Sequence, residues 1–204
     1  MARLLREGEP FDGPIATVAA GDVAYAHQGD TAWAAVVLCK MPDLCLIEFA
    51  LVKESVSFPY VPGLLSFREG PALLKAFSLL SAKPDVALFD GQGTAHPRGL
   101  GLASHVGLCL GLPTVGCAKS RLVGEHGPVG MERGAISWLM FNGQRVGAAV
   151  RTRAGVKPVY VSAGYRTSQE RAVEVVLATC AGYRLPEPLR QAHLLASRWR
   201  DSEE

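Results

Sequence analysis

The chain has no CxxC pair, no cysteine-dense framework, no long apolar run and no repeat, and each absence narrows what it can be. Its five cysteines (Cys39, Cys45, Cys109, Cys117 and Cys180) are scattered among aliphatic residues. That is how reduced core thiols are distributed, and it offers neither a disulfide scaffold nor zinc-ligand spacing. No apolar stretch reaches the roughly 18 residues a membrane-spanning helix needs, and Met1–Arg6 leads into acidic residues instead of a secretory apolar core. A soluble, cytoplasmic protein is expected. Strong charge of one sign is also missing: 21 Lys and Arg stand against 19 Asp and Glu, a formal net charge of +2. This excludes a wholly basic scaffold that coats nucleic acid, and equally an acidic tail protein. With no low-complexity linker to cut them, the 204 residues read as one domain spanning 1–204.

What is present is globular: 49% hydrophobic and 20% charged residues. The small net charge hides a gradient. Residues 1–60 hold 4 basic and 8 acidic side chains, whereas 121–204 hold 12 and 8. Within 145–171, Arg145, Arg151, Arg153, Lys157, Arg166 and Arg171 face only Glu170. Two readings stand side by side, a local surface for a polyanion and the solvated rim of a β-meander.

Apolar runs at 15–26, 32–39 and 44–53, separated by turn-forming residues, predict three antiparallel strands. Leu73, Leu74, Phe77 and Leu80 at helical spacing predict a helix over 67–82. VALFD (86–90) reads as a short buried strand, followed by a Gly-rich turn, a helix near 98–111 and a strand around 113–118. Residues 119–134 read as loop, and AISWLMF, VGAAVRT and PVYVS as further strands. Thr167 and Glu170 have capping-box spacing and open a helix through Cys180, with Gly182 as a stop; a last short helix covers about 189–199. The predicted fold class is α/β, a central mixed sheet of three antiparallel strands then parallel strands, flanked by helices.

Carboxylates beside apolar strands are the informative feature. Asp22 interrupts an apolar run and Asp90 ends VALFD just before Gly-Gln-Gly. A charge there is costly unless paired, and the carboxyl ends of strands in open α/β sheets are where ligands bind. The plainer readings are an outward edge position for Asp22 and an Asx-turn for Asp90. Glu69 lies three residues after Ser66, as in a capping box, and four before Leu73, on the face that packs against the sheet. Converging, the three acids would bind a hard cation, Mg2+ or Mn2+, and support phosphodiester chemistry. His96, His105 and Lys119 follow Asp90 closely and are suited to phosphate, although lone histidines are more often structural. Tyr60, between Pro59 and Pro62, is either a stiffly presented wedge or a small satellite of the core.

FPYVPGLLSFREGPALLKAF (58–77) and PDVALFDGQGTAHPRGLGLASHVGL (84–108) resemble the two signature segments of the endonuclease V family. VAAGDVAY (18–25), PTVGCAKSRL (113–122) and GYRLPEPLRQAHLLAS (182–197) resemble three more, in the family's order. The resemblance implies a ribonuclease H-like fold and a Mg2+-dependent endonuclease of DNA repair, with Mn2+ able to substitute. Such an enzyme cleaves the second phosphodiester 3′ to a deaminated purine. It implies Asp22, Glu69 and Asp90 as metal ligands, His193 at a fourth metal-site position that is Asp or His in the family, and Lys119 at the scissile phosphate. Tyr60 would be the wedge, flanked by Pro59, Pro62 and Gly63, with Leu65, Gly91, Gly93 and His96 around the lesion and His105 nearby. The implied partner is deoxyinosine-containing DNA, met by a monomer. Cleavage of inosine-containing single-stranded RNA and non-cleaving inosine binding are the alternatives. A small-nucleotide domain is disfavoured by the lack of GxGxxG after the first strand. Three departures are visible: Gln92 where DGHG is common, Cys117 where Val is usual, and a short N-terminus expected to trim an outer helix.

Overall fold

A computed structural model describes residues 9–203; the expectations about the extreme N-terminus lie outside them. Eight strands and four helices follow one another. The first half holds β1 (Thr17–Tyr25), β2 (Thr31–Lys40), β3 (Cys45–Ser55), α1 (Leu65–Ser78), β4 (Val86–Phe89) and α2 (Leu102–Leu110). The second holds β5 (Thr114–Ala118), β6 (Ile136–Phe141), β7 (Gln144–Val150), β8 (Val159–Ala163), α3 (Gln169–Ala178) and α4 (Glu187–Glu203). They form a single sheet of order β3-β2-β1-β4-β5-β8-β7-β6. The expected antiparallel trio is β3-β2-β1. Parallel pairing is confined to β1-β4-β5, and a second antiparallel meander, β8-β7-β6, completes the sheet.

The central strands are apolar throughout because helices cover both faces. Val86–Phe89 and Thr114–Ala118 are wholly buried. One face carries Val18, Ala20, Leu88 and Val115 against α3 and the start of α4; the other carries Ala19, Ala87 and Phe89 against α1 and α2. Register is pinned at the start of β4. One Asp85 carboxylate oxygen accepts from the Ala16 and Thr17 amides, both at 2.9 Å, and from the Thr17 hydroxyl at 3.1 Å. Gly21 therefore stands beside Phe89, and Asp22 and Asp90, one residue further on, leave the sheet at the same end. At Gly21 a β-carbon would come within 2.7 Å of the Leu73 side chain, so any larger residue there would force Leu73 out of its packed position.

Several boundaries move. Ser66 is the second residue of α1 and buried, and the N-cap position falls on Leu64 with no side-chain cap; the capping box is not formed and Glu69 is freed for another use. Ser168, not Thr167, caps α3, accepting from the Arg171 amide at 3.0 Å, while the Thr167 hydroxyl donates to the Tyr165 carbonyl. Helix α2 starts only at Leu102, because the preceding residues close on themselves: the Thr94 amide bonds the Ala163 carbonyl of β8, and the Gly101 amide returns to the Gly93 carbonyl. Helix α4 is longer than 189–199, starting at Glu187, whose charge suits a helix N-terminus. Gly182 adopts the left-handed φ of +81° in the turn past α3. Among the described residues no helix is long and apolar enough to cross a membrane.

The basic stretch is not one surface. Arg151 is buried and its guanidinium donates to the carbonyls of Gly130, Val129 and Val156, tying down the 119–134 loop. Arg171 donates to the Gly13 carbonyl and Glu174, and Arg145 pairs with Glu170 while stacking on Trp138 at 4.2 Å.

Candidate active site

Alternation along β1 and β4 aims Asp22 and Asp90 to the face that α4 covers, and the two side chains are 13% and 17% exposed. Helix α1 covers the other face, and Glu69 lies one turn before its buried Leu73. The glutamate thus reaches the strand ends from the far layer. Burial first, then the charges of Asp22 and Asp90, push its carboxyl up to about 8. Burial also raises the Asp90 carboxyl, against the pull of Lys119, whose ammonium lies 2.5 Å away. Lys119 follows the end of β5; burial works to lower its pKa, but its hydrogen bond to Asp90 together with the charges of Asp90 and Asp22 holds it above its ordinary value. His193, from α4, bonds Asp22 through Nδ1 at 2.7 Å, and that bond raises its pKa.

These placements bring Asp22, Glu69, Asp90, Lys119 and His193 to one end of the sheet. Among the described residues no three His, Cys, Asp or Glu side chains stand close enough together to hold a metal ion as they are; Lys119 and His193, bonded to Asp90 and Asp22, provide the counter-charge. The donor chemistry nonetheless fits a hard divalent cation: three carboxylates, one of them raised to about 8 by burial first and by its two neighbours second, with no thiolate among them. Tyr25 lies beside the acids with its hydroxyl buried near Glu69; burial first, then the Glu69 charge, raises its pKa.

A cavity of about 310 Å³ opens beside Asp90 and Lys119, a size suited to a small ligand such as a base. Tyr60, Pro62, Gly63, Leu65, Gly91 and His96 line it. Tyr60 is 68% exposed at its mouth, and Pro59 is exposed alongside. His96 is buried with both ring nitrogens engaged. Nδ1 accepts from the Arg98 amide at 3.2 Å, leaving Nε2 to donate to the Gly63 carbonyl at 3.0 Å. Burial lowers its pKa, so it is a neutral clasp between the Gly-rich turn and the Tyr60 loop. Gly93 does not line the cavity; a β-carbon there would lie 2.0 Å from the Ala163 carbonyl oxygen, so the glycine lets the turn lie flat on β8. His105 sits elsewhere, edge-on to Phe67 at 5.4 Å.

Other participants were not foreseen. Ser120, Arg121 and Leu122 also line the cavity. Gln92 donates to the Ser120 carbonyl at 2.9 Å, tying that segment to the Gly-rich turn, while its Oε1 is buried and unpaired. Arg68 stacks on Tyr25 at 4.3 Å and donates to the carbonyls of Phe58 and Gly29, both at 2.6 Å, bracing the Tyr60 loop from below. Arg184 donates to the carbonyls of Lys119, Lys157 and Pro158. A lone arginine's carbonyl partners carry no signal in sequence; only the adjacency of Arg68 to Glu69 hinted at a role.

The sequence model of the family described as Endonuclease V matches residues 1–194. An endonuclease V of Roseiflexus castenholzii is 51% identical over 188 residues, covering 92% of this chain and 84% of its own length. The crystal structure of endonuclease V from Streptomyces avermitilis superposes with a TM-score of 0.90 at 40% identity, covering 99% of this chain and 92% of that one. The Ciona intestinalis endonuclease V (D234N), bound to a 23mer DNA containing an inosine followed by a ribo-adenosine, superposes with a TM-score of 0.86 at 26% identity, covering 100% and 95%. The fold is the ribonuclease H-like fold of these structures. Sequence match, superposition and the acids at the strand ends agree: the chain belongs to the endonuclease V family.

Proposed function

We propose that this protein hydrolyses nucleic acid at the second phosphodiester 3′ to a deaminated purine, deoxyinosine in DNA, leaving 3′-hydroxyl and 5′-phosphate ends in the service of DNA repair. One observation carries the reading: a base-sized cavity is lined by Asp90 and Lys119, and Asp90 shares its end of the sheet with Asp22 and Glu69, carboxylates gathered from both faces. The Ciona intestinalis relative bound to inosine-containing DNA supports the choice of substrate.

Asp22, Glu69 and Asp90 are the residues that would hold Mg2+, or Mn2+ in its place. When bound, the ion supplies water activation and neutralises charge developing on the phosphate. Lys119, tethered by Asp90, presents an ammonium toward the phosphate region. His193, oriented by Asp22 and with its basicity raised by that bond, can exchange a proton as the 3′-oxygen departs. Tyr60 occupies the gap that the extruded lesion leaves in its strand. Hypoxanthine presents an N1–H donor and an O6 acceptor, a pattern that backbone groups around Gly63, Leu65 and Gly91 can read at close range.

The test uses matched end-labelled strands, one carrying deoxyinosine and one inosine in RNA, each with Mg2+ and with EDTA. A metal-dependent nick one nucleotide beyond the DNA lesion is expected. Cleavage of the RNA alone would move the activity to RNA processing, and lesion binding without cleavage would leave a recognition module.

A further inference from the structure

The Gly-rich turn has a second side. Gly91, Gln92 and His96 face the base cavity, whereas Thr94, Arg98 and Gly99 line a separate depression of about 470 Å³. Its other walls include Arg145 at the start of β7, Arg166 after β8, and Ser168 and Gln169 where α3 begins. Three arginines enter this lining and no Asp or Glu does; Glu170 lies next to it, paired with Arg145.

The floor is preorganised. Gln169 donates to the Thr94 hydroxyl at 2.9 Å and accepts from the Ala163 amide at 2.9 Å, while the Thr94 hydroxyl donates to the Val146 carbonyl at 3.1 Å. The N-terminus of α3 opens here and adds positive potential. Two of the arginines are set by the backbone. Arg166 adopts a left-handed φ of +48°, and its carbonyl accepts from the Phe11 amide at 2.8 Å. The amide of Arg98 is bonded to His96, itself a wall of the base cavity. The cationic depression and the base cavity are therefore two faces of one short turn, joined through His96 and Arg98.

We propose that this depression is a phosphate track for the nucleic-acid strand flanking the site of cleavage, with Arg98, Arg145 and Arg166 meeting backbone phosphates irrespective of sequence. The proposal rests on the nucleic-acid reading above for its choice of polyanion. Its prediction is a footprint longer than the base cavity and acid cluster require.

The test measures binding of lesion-free single strands, so it is read independently of whether inosine is recognised or cut. Strands of about 4 and about 16 nucleotides, the span of single-strand site sizes, are titrated at several KCl concentrations. Comparison is made with Arg98→Glu/Arg166→Glu and with a control of equal charge change, Lys40→Glu/Lys83→Glu. The two control lysines lie outside the groove lining, Lys40 at the end of β2 and Lys83 shortly before β4. In the arginine pair, affinity for the longer strand should fall about tenfold or more at low salt. The slope of log K against log salt should flatten by about 1.4, the contribution of two single-strand phosphate contacts. Affinity for the short strand should stay within about twofold, as should the control variant on both strands; Arg98→Lys should retain most of the binding. An unchanged slope, an equal loss in the control, equal losses on both strands, or no binding by the unaltered protein would overturn the proposal. Polyglutamate binding as tightly as the strand would also overturn it, by assigning the groove to an acidic protein.

Discussion

Two sets of charged residues behave in opposite ways on folding. Asp22, Glu69 and Asp90 are far apart in the chain and converge at one sheet end. The six basic residues of 145–171 are close in the chain, yet Arg151 and Arg171 turn inward to backbone carbonyls while Arg145 and Arg166 join the groove with Arg98. The difference lies in topology. Parallel strands gather the ends of distant segments at one edge, whereas a meander of alternating strands and loops sends neighbouring residues to opposite sides. Nearness along the chain is a poor guide to a site, and position at the carboxyl ends of parallel strands a good one.

The largest effect should come from breaking the converged set. Asp90→Asn removes a carboxylate while keeping its shape, and the cleavage rate should fall about a thousandfold, on the scale of losing one transition-state stabilising group. Thermal unfolding should shift by only a few degrees. An active Asp90→Asn enzyme would separate the acid cluster from catalysis.

Glu69 sharpens the same comparison through stability. An acid whose folded pKa is raised binds its proton more tightly when folded, so its contribution to stability is greatest below the unfolded value near 4.5 and declines as pH rises toward the folded value of about 8. The metal-free protein should therefore lose up to a few kcal/mol across that window. Glu69→Gln should flatten the profile, read from urea midpoints at several pH values in EDTA. Mg2+ should restore stability at pH 8 to the unaltered chain and not to the variant. Identical pH profiles for the two proteins would mean that the surroundings of Glu69 do not hold its proton on folding.

Arg151 tests the dispersed set. It is buried, and its guanidinium donates to the carbonyls of Gly130, Val129 and Val156. Arg151→Met leaves these acceptors unpaired and should cost about 3 kcal/mol of stability. Salt dependence of strand binding should be unaltered, in contrast to the groove variants. A change in that dependence without loss of stability would return Arg151 to the nucleic-acid surface.

How much of this was legible in the sequence follows the same division. The strands declared themselves as apolar runs because most are buried on at least one face, and Glu69 could be placed by its spacing from Leu73. Ser66 misled, since a buried serine inside a helix has the same letter and spacing as a cap; Thr167 misled by one residue because Ser168 beside it can cap equally well. The register that aligns Asp22 with Asp90 depends on Asp85 gripping Thr17 across the chain, and no local pattern records such a contact. Gly93 was read as part of the cavity because a Gly-rich turn suggests close approach to a ligand; here the close approach is to β8.

Tyr60 is the intermediate case: residues contiguous in sequence that stay together and act together. Pro59 and Pro62 restrict the backbone around it, and the loop is clasped at both ends. Arg68 holds the Phe58 carbonyl, and His96 holds that of Gly63. The ring itself is 68% exposed, so the fold gains little from burying it and the loop stays in place without it. Tyr60→Ala should leave the unfolding temperature nearly unchanged yet weaken binding of a deoxyinosine strand by about tenfold, the scale of one base–aromatic stack. Cleavage at saturating substrate should fall less, because the acid cluster is untouched. Lesion-free strands should bind the variant almost as well as the unaltered protein, since their phosphates meet the arginines on the other side of the turn. An equal loss on lesion-free strands would assign Tyr60 to general strand binding, erasing the distinction between a wedge at the cavity and a cationic track beside it.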